Sequence, residues 1–275
     1  MFRKYGLLGI LLIVLVEINF FLKIEPFASW YFPIVWFGYI LVIDALIYKL
    51  RKDSLISKRF SQFVGIVLIS VIFWWIFEFI NIPLRNWNYL GIEKLGEWKN
   101  VYGSLSFATV LPAFFETVEL IQSIHLFSKK KLHKKHKITK KLLHTMVWIG
   151  ILCFVGPFIF PNFLFPLVWL SFFFILDPIN YIHKQPSIIG HLKDRRLAIP
   201  LSLLLAGIIM GFFWEFWNYW AEVKWVYEVP FVGFFKIFEM PLLGYLGYFP
   251  FAFELYAMYW FVKSLFYHKE HILIN

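Results

Sequence analysis

Eight carboxyl groups stand inside the apolar runs of this chain: Glu17, Asp44, Glu78, Glu116, Glu119, Asp177, Glu215 and Glu254. An ionised acid near the middle of a bilayer costs roughly 2.5–3.5 kcal/mol on insertion scales, so such residues usually face a bundle interior and have a partner or a task. Their spacing is organised. Glu78 and Asn81 are three residues apart, as are Glu215 and Asn218 and also Glu116 and Glu119. Three residues apart on a helix means a shared face. Trp, Tyr and Phe crowd the same segments. Carboxyl groups in apolar, aromatic surroundings can hold and pass protons, and π faces stabilise cations. The expected site is therefore an aromatic-walled, acid-floored cavity formed from Glu78, Asn81, Glu116, Glu215, Asn218 and Glu254. Asp44 and Asp177, near helix ends, are expected to pair with Lys49 or Lys184 or to cap.

The elements that position these groups are membrane helices. The chain has 275 residues, of which 60% are hydrophobic, 23% aromatic and only 16% charged. A soluble domain carries about 25% charged residues. Disordered, coiled-coil and collagen-like chains are excluded by the same composition. The apolar runs approach the roughly 20 residues that a spanning helix needs, not the alternating segments of about 10 expected in a β-barrel. Eight spans are predicted, at 5–24, 31–49, 62–82, 105–127, 143–161, 164–182, 197–220 and 249–267. No small-residue cleavage site follows the first run, which reads as a signal anchor. The one cysteine, Cys153, allows no intrachain disulfide and no CxxC chemistry.

Placing both termini in the cytoplasm puts 21 of the 27 Lys and Arg residues on that side. This is the arrangement the positive-inside rule selects. The expected location is the cell (inner or plasma) membrane, multi-pass. The formal net charge of +10 then requires no nucleic-acid partner. The basic segment 128–142 reads as a topogenic linker with some affinity for anionic lipid headgroups. His133 and His136 within it could share a helix face, but the flanking lysines repel a metal cation.

The chain also repeats itself. Phe32-Pro33-Ile34-Val35-Trp36 recurs as Phe165-Pro166-Leu167-Val168-Trp169, and an Asp follows each proline by 11 residues, at Asp44 and Asp177. Glu78-x-x-Asn81 recurs as Glu215-x-x-Asn218, and each is followed by Trp-x-Tyr, at Trp87–Tyr89 and Trp225–Tyr227. Pro112 precedes Glu116 by four residues, as Pro250 precedes Glu254. The reading is all-α: two tandem four-helix repeats, 1–127 and 143–275, joined by the linker and parallel in the membrane. Between the third and fourth span of each repeat lies an aromatic segment, 83–104 and 221–248. Phe231–Pro241 within the second is expected to be an interfacial or re-entrant helix. Glu239 has no acidic counterpart in the first repeat, and Glu119 has none in the second.

In the second repeat, Trp214-Glu215-Phe216-Trp217-Asn218-Tyr219, then Trp225-Val226-Tyr227, then Gly247-Tyr248-Phe249-Pro250-Phe251-Ala252-Phe253-Glu254 resembles the lycopene cyclase domain. That is the small membrane domain of heterodimeric bacterial and fused fungal carotenoid cyclases. The family shows Trp-Asp with a nearby Asn-Tyr, a Trp-x-Tyr element, and Gly-Tyr-x-Pro-x-Glu-Glu opening the next helix. Its active unit combines two such domains. The likeness covers about 50 residues of the second repeat and, more weakly, 45 of the first. Here Glu215 stands in place of the Asp, Asn218 is displaced along the chain, the paired Glu-Glu is missing, and each repeat has an additional leading helix.

The resemblance implies redox-neutral acid–base chemistry on an isoprenoid or carotenoid-like lipid, with no cofactor. It makes Glu215 and Glu254 the proton donor and acceptor, Asn218 the residue that orients one carboxyl, and Glu239 a further catalytic candidate. Trp214, Trp225, Tyr227 and Tyr248 would line the substrate, with Glu78, Asn81 and Glu116. The residues by themselves also accommodate a transporter or channel with intramembrane acids, or a structural protein in which Glu and Asn join helices. No nucleotide, metalloprotease or nucleophile-elbow motif is present.

Overall fold

The computed structural model describes residues 2–134, 137–231 and 233–266. Lys135, His136, Val232 and the tail from 267 onward lie outside the described residues. Those positions include half of the linker histidine pair and the last basic residue counted toward topology.

Among the described residues, seven helical segments are long and apolar enough to cross a membrane: Lys4–Leu22, Tyr31–Arg51, Phe60–Leu84, Ile92–Ser123, Lys140–Ile159, Pro161–Ile182 and Ala198–Trp220. Their surfaces agree with a lipid solvent. Leu7, Leu11 and Ile18 on the first, Leu68, Ile72 and Phe79 on the third, and Trp148, Leu152 and Ile159 on the fifth are exposed. A water-soluble monomer rarely leaves such continuous apolar surface uncovered. The chain is a multi-pass membrane protein. The helix Tyr248–Phe266 occupies the eighth expected segment.

Two compact units are formed, residues 1–124 with 210–241 and residues 125–209 with 242–275. The first unit contains α1 (Lys4–Leu22), α2 (Tyr31–Arg51), the short α3 (Leu55–Lys58), α4 (Phe60–Leu84), the strand β1 (Trp87–Leu90), a 3-10 segment (Ile92–Trp98), α5 (Lys99–Phe107) and α6 (Val110–Ser123). α2 packs against α1 and α6, and α6 also meets α4. In α1 and α2 small residues let the backbones approach, as is usual between membrane helices. A Cβ on Gly9 would lie 2.6 Å from the Gly38 carbonyl oxygen, and one on Gly38 would lie 2.8 Å from Ile13. Gly9→Leu is therefore expected to force the two helices apart and destabilise the fold by about 1–3 kcal/mol. Thermal unfolding in detergent checks this, with the exposed Leu7→Ala as a neutral control.

The second unit holds α7 (Lys140–Ile159), the single turn α8 (Pro161–Leu164) followed by a 3-10 turn (Phe165–Leu167), α9 (Val168–Ile182), α10 (Ile188–Lys193) and the first part of α11 (Ala198–Trp220). α9 packs against α7 and against α12 (Tyr248–Phe266). The latter part of α11, from Met210, belongs to the first unit, with β2 (Lys224–Tyr227), β3 (Lys236–Ile237) and β4 (Met240–Pro241). The expected helix over Phe231–Pro241 is replaced by the β3–β4 hairpin, in which Lys236 pairs with Pro241 and Ile237 with Met240. Phe231, Phe235 and Phe238 all take positive φ, between 49° and 65°. A right-handed helix cannot pass through such residues.

The two acids near helix ends cap the short helices that follow them. Asp44 accepts from Tyr5 Oη at 2.5 Å, Ser54 Oγ at 2.9 Å and the Ile56 amide at 2.9 Å. Asp177 accepts from the Ile188 and Ile189 amides at 2.7 and 2.9 Å. These amides open α3 and α10, where N–H groups have no intrahelical acceptor. Of the two roles expected for these acids, capping is the one observed.

Candidate functional site

In the first unit, β1 and β2 pair antiparallel, with Trp87 opposite Tyr227 and Tyr89 opposite Trp225. The two Trp-x-Tyr elements thus form one ribbon. An Asn holds each strand to its helix. Asn81 donates to the Trp87 carbonyl at 2.8 Å and accepts from the Asn86 and Trp87 amides at 2.8 and 3.3 Å. Asn218 donates to the Trp225 carbonyl and accepts from the Trp225 amide, both at 2.8 Å. Each Asn therefore acts as a clamp on irregular backbone, whose polar groups must be satisfied away from water. Asn218 was expected to orient one carboxyl; it bonds the strand whose Tyr227 hydroxyl donates to Glu215 and, among the described residues, makes no hydrogen bond with a carboxyl itself.

The ribbon delivers its aromatic donors to the two acids. Glu78 Oε1 accepts from Trp87 Nε1 at 3.2 Å and from Tyr89 Oη at 2.5 Å. Glu215 Oε1 accepts from Tyr227 Oη at 2.7 Å, and Trp225 Nε1 donates to that same hydroxyl at 2.8 Å. Glu215 is fully buried. In the same unit Trp36 meets Trp214 at 5.9 Å and Trp217 at 4.8 Å between ring centroids, and Phe32 meets Trp225 edge-on at 5.2 Å. Glu17, not among the expected site residues, joins this region by accepting from Tyr31 Oη at 2.9 Å and Trp217 Nε1 at 3.1 Å. No sequence signal links Glu17 to Trp217, because 200 residues separate them.

Glu116 on α6 is completely buried, and neither carboxyl oxygen has a hydrogen-bond partner among the described residues. Asp44 and Glu119 are its acidic neighbours. Glu119 receives Arg51 at 3.1 Å and Arg59 at 2.5 Å. Glu239 is ion-paired with Lys224 at 2.6 Å. Glu222, also unforeseen, bridges Lys94 at 2.8 Å and Lys23 at 3.2 Å. The hydrogen bond from Lys94 holds its carboxyl below the usual range. Glu254 and Tyr248 belong to the second unit. There Glu254 Oε1 accepts from the Phe172 amide at 3.0 Å, and Tyr248 packs on Tyr245 and Phe251.

The second unit also contains a cavity of about 470 Å³ that none of the expected site residues lines. His191 reaches it from α10, with its ring nitrogen Nε2 2.9 Å from Tyr256 Oη on α12. Burial, with the nearby Arg196 adding to it against Asp194, pushes the imidazole pKa down to about 4. The neutral ring is thus the form that folding favours. Its contribution is complete above about pH 6.5 and is lost as the pH falls toward 4. Wild-type protein is expected to lose on the order of 3 kcal/mol more than His191→Gln over that interval. Thermal unfolding of both proteins from pH 7 to pH 4 measures it, and parallel curves would contradict it.

Fold and site together define a multi-pass helical membrane protein with carboxyl groups buried among aromatic rings. Compared with protein-family models, with curated proteins and with solved structures, the chain matches none.

Proposed function

We propose that this chain is an integral membrane enzyme acting on an isoprenoid or carotenoid-like lipid by redox-neutral acid–base chemistry, similar to the lycopene cyclase domain. One observation carries the reading: a buried carboxyl, Glu215, held by the Tyr227 hydroxyl, which itself accepts from Trp225 Nε1. The proposed reaction begins when a carboxylic acid protonates a terminal alkene carbon and its π electrons form the new C–H bond. A neighbouring alkene attacks the cation, forming a C–C bond. A base then removes a proton next to the relocated charge, restoring an alkene. The product is an isomer of the substrate, and no oxidant or reductant is consumed. A proton donor of this kind must be neutral at the working pH.

The proposal places eight spans in two parallel four-helix repeats, with α12 as the eighth. The shared geometry of Glu78-x-x-Asn81 and Glu215-x-x-Asn218, each clamped to its own Trp-x-Tyr strand, supports the duplication. It also places the chain in the cell membrane with both termini cytoplasmic, supported by the uneven distribution of Lys and Arg.

The test is expression in cells that accumulate an acyclic C40 polyene, followed by extraction and mass-resolved chromatography. The expected product has the substrate's mass in H₂O and one added deuterium per ring formed in D₂O. A chain whose Glu and Asn residues only join helices leaves the polyene unchanged, and that outcome removes the enzymatic reading.

A further inference from the structure

We propose that the cavity in the second unit binds a phosphate-bearing anion, as a phosphate monoester or a diphosphate. Its volume of about 470 Å³ falls within the roughly 300–1,000 Å³ of small-molecule sites, so it has room for the phosphate and part of what it is attached to. Lys184, Lys193 and Arg196 line it, against a single acid, Asp194. Arg196 contacts Asp194 at 3.0 Å, with side chains 44% and 54% exposed. An exposed pair of this kind contributes about 0–1 kcal/mol, so a dianion can draw the guanidinium away from Asp194. Arginine then offers two parallel N–H groups that match phosphate oxygens.

A second, independent feature is a buried donor. His191 lines the cavity, is 4% exposed, and its Nδ1 has no hydrogen-bond partner among the described residues. When Tyr256 Oη donates to Nε2, the neutral ring carries its proton on Nδ1. An N–H left unpaired in such a place is costly; Nδ1 is shielded from the cavity as the ring stands, so an anion oxygen satisfies it when the ring turns toward the cavity. The basic linker adds to the local field. Leu132 and Leu197 make backbone hydrogen bonds with Arg195 and Lys130, which draws Lys129, Lys130 and Lys131 alongside Arg196. Basic pockets at the ends of membrane helices recognise lipid phosphates in the same way. The site chemistry is common to a lipid headgroup and to a free phosphate compound, and binding is expected to weaken with salt.

The experiment uses the full chain in two settings. In detergent, inorganic phosphate and inorganic pyrophosphate are titrated calorimetrically. In nanodiscs, retention of phosphatidic acid over phosphatidylcholine is measured by native mass spectrometry. Lys193→Gln/Arg196→Gln is compared with wild type and with Lys129→Gln/Lys130→Gln. All four positions are solvent-facing, so the folds are retained, and unfolding curves verify it. Saturable phosphate or pyrophosphate binding that weakens at least tenfold in the cavity variant supports a free phosphate ligand. Selective phosphatidic acid retention that is lost in the same variant supports a lipid headgroup. No binding in either setting, or binding that falls in the linker variant and not in the cavity variant, overturns the proposal.

Discussion

Glu215→Gln is expected to abolish conversion of the polyene, by at least about 10²-fold, while leaving the unfolding temperature close to that of wild type. Glutamine has the size of the carboxyl and still accepts the Tyr227 hydroxyl at its amide oxygen, so the 2.7 Å contact survives. What it lacks is a transferable proton, and general acid catalysis contributes typically 10²–10⁴-fold. Tyr227→Phe should cost less, since the carboxyl is kept and only its orientation is loosened. Asn218→Ala should fall between them and also lower stability, because the Trp225 amide and carbonyl both lose their partner. Product assays and unfolding curves on the three variants separate catalysis from scaffolding. Full conversion by Glu215→Gln would remove the proton-transfer role.

Glu119→Gln is expected to be the most destabilising conservative change in the first unit, by about 3 kcal/mol. Glu119 is completely buried, and its one oxygen faces two guanidinium groups, Arg51 from the end of α2 and Arg59 from the start of α4. Removing one partner of a buried pair leaves an uncompensated charge, at a typical cost of 3–5 kcal/mol. The two arginine side chains are 26% and 20% exposed, which puts the expectation at the low end of that range. Glu116 gives the contrast. Its oxygens have no partner among the described residues, so Glu116→Gln should be close to neutral. Thermal or denaturant unfolding in the same detergent compares the two, and equal stabilities would contradict the prediction.

Both variants bear on how far the sequence reaches. The membrane segments were legible because insertion depends on summed transfer energies along some 20 residues, which is a property of the local chain. The recurring Glu-x-x-Asn and Trp-x-Tyr elements, and the capping role open to Asp44 and Asp177, were legible for the same reason: their geometry is set by spacing within a turn or two. Partner choice was not. Trp87 and Tyr227 are 140 residues apart in sequence, yet they face each other across one ribbon. Glu239 takes Lys224, Glu119 takes two arginines, and Glu17 takes Trp217, although nothing in the sequence ranks those partners above others.

The Phe231–Pro241 segment shows the limit most clearly. Its apolar and aromatic composition suits an interfacial helix. A two-residue-paired hairpin forms instead, with Phe231, Phe235 and Phe238 in left-handed backbone. Side-chain packing of the kind seen between Phe238 and Phe212, Phe216 and Tyr219 offsets that backbone cost. By itself, then, the sequence determined that the chain forms several apolar helices long enough to cross a membrane. The tertiary structure decided which of the acids meet a cation, which meet a tyrosine and which cap a helix. The physical reason is that polar groups inside a bilayer take the partner that packing brings within about 3 Å, and packing is set by contacts far apart in the chain.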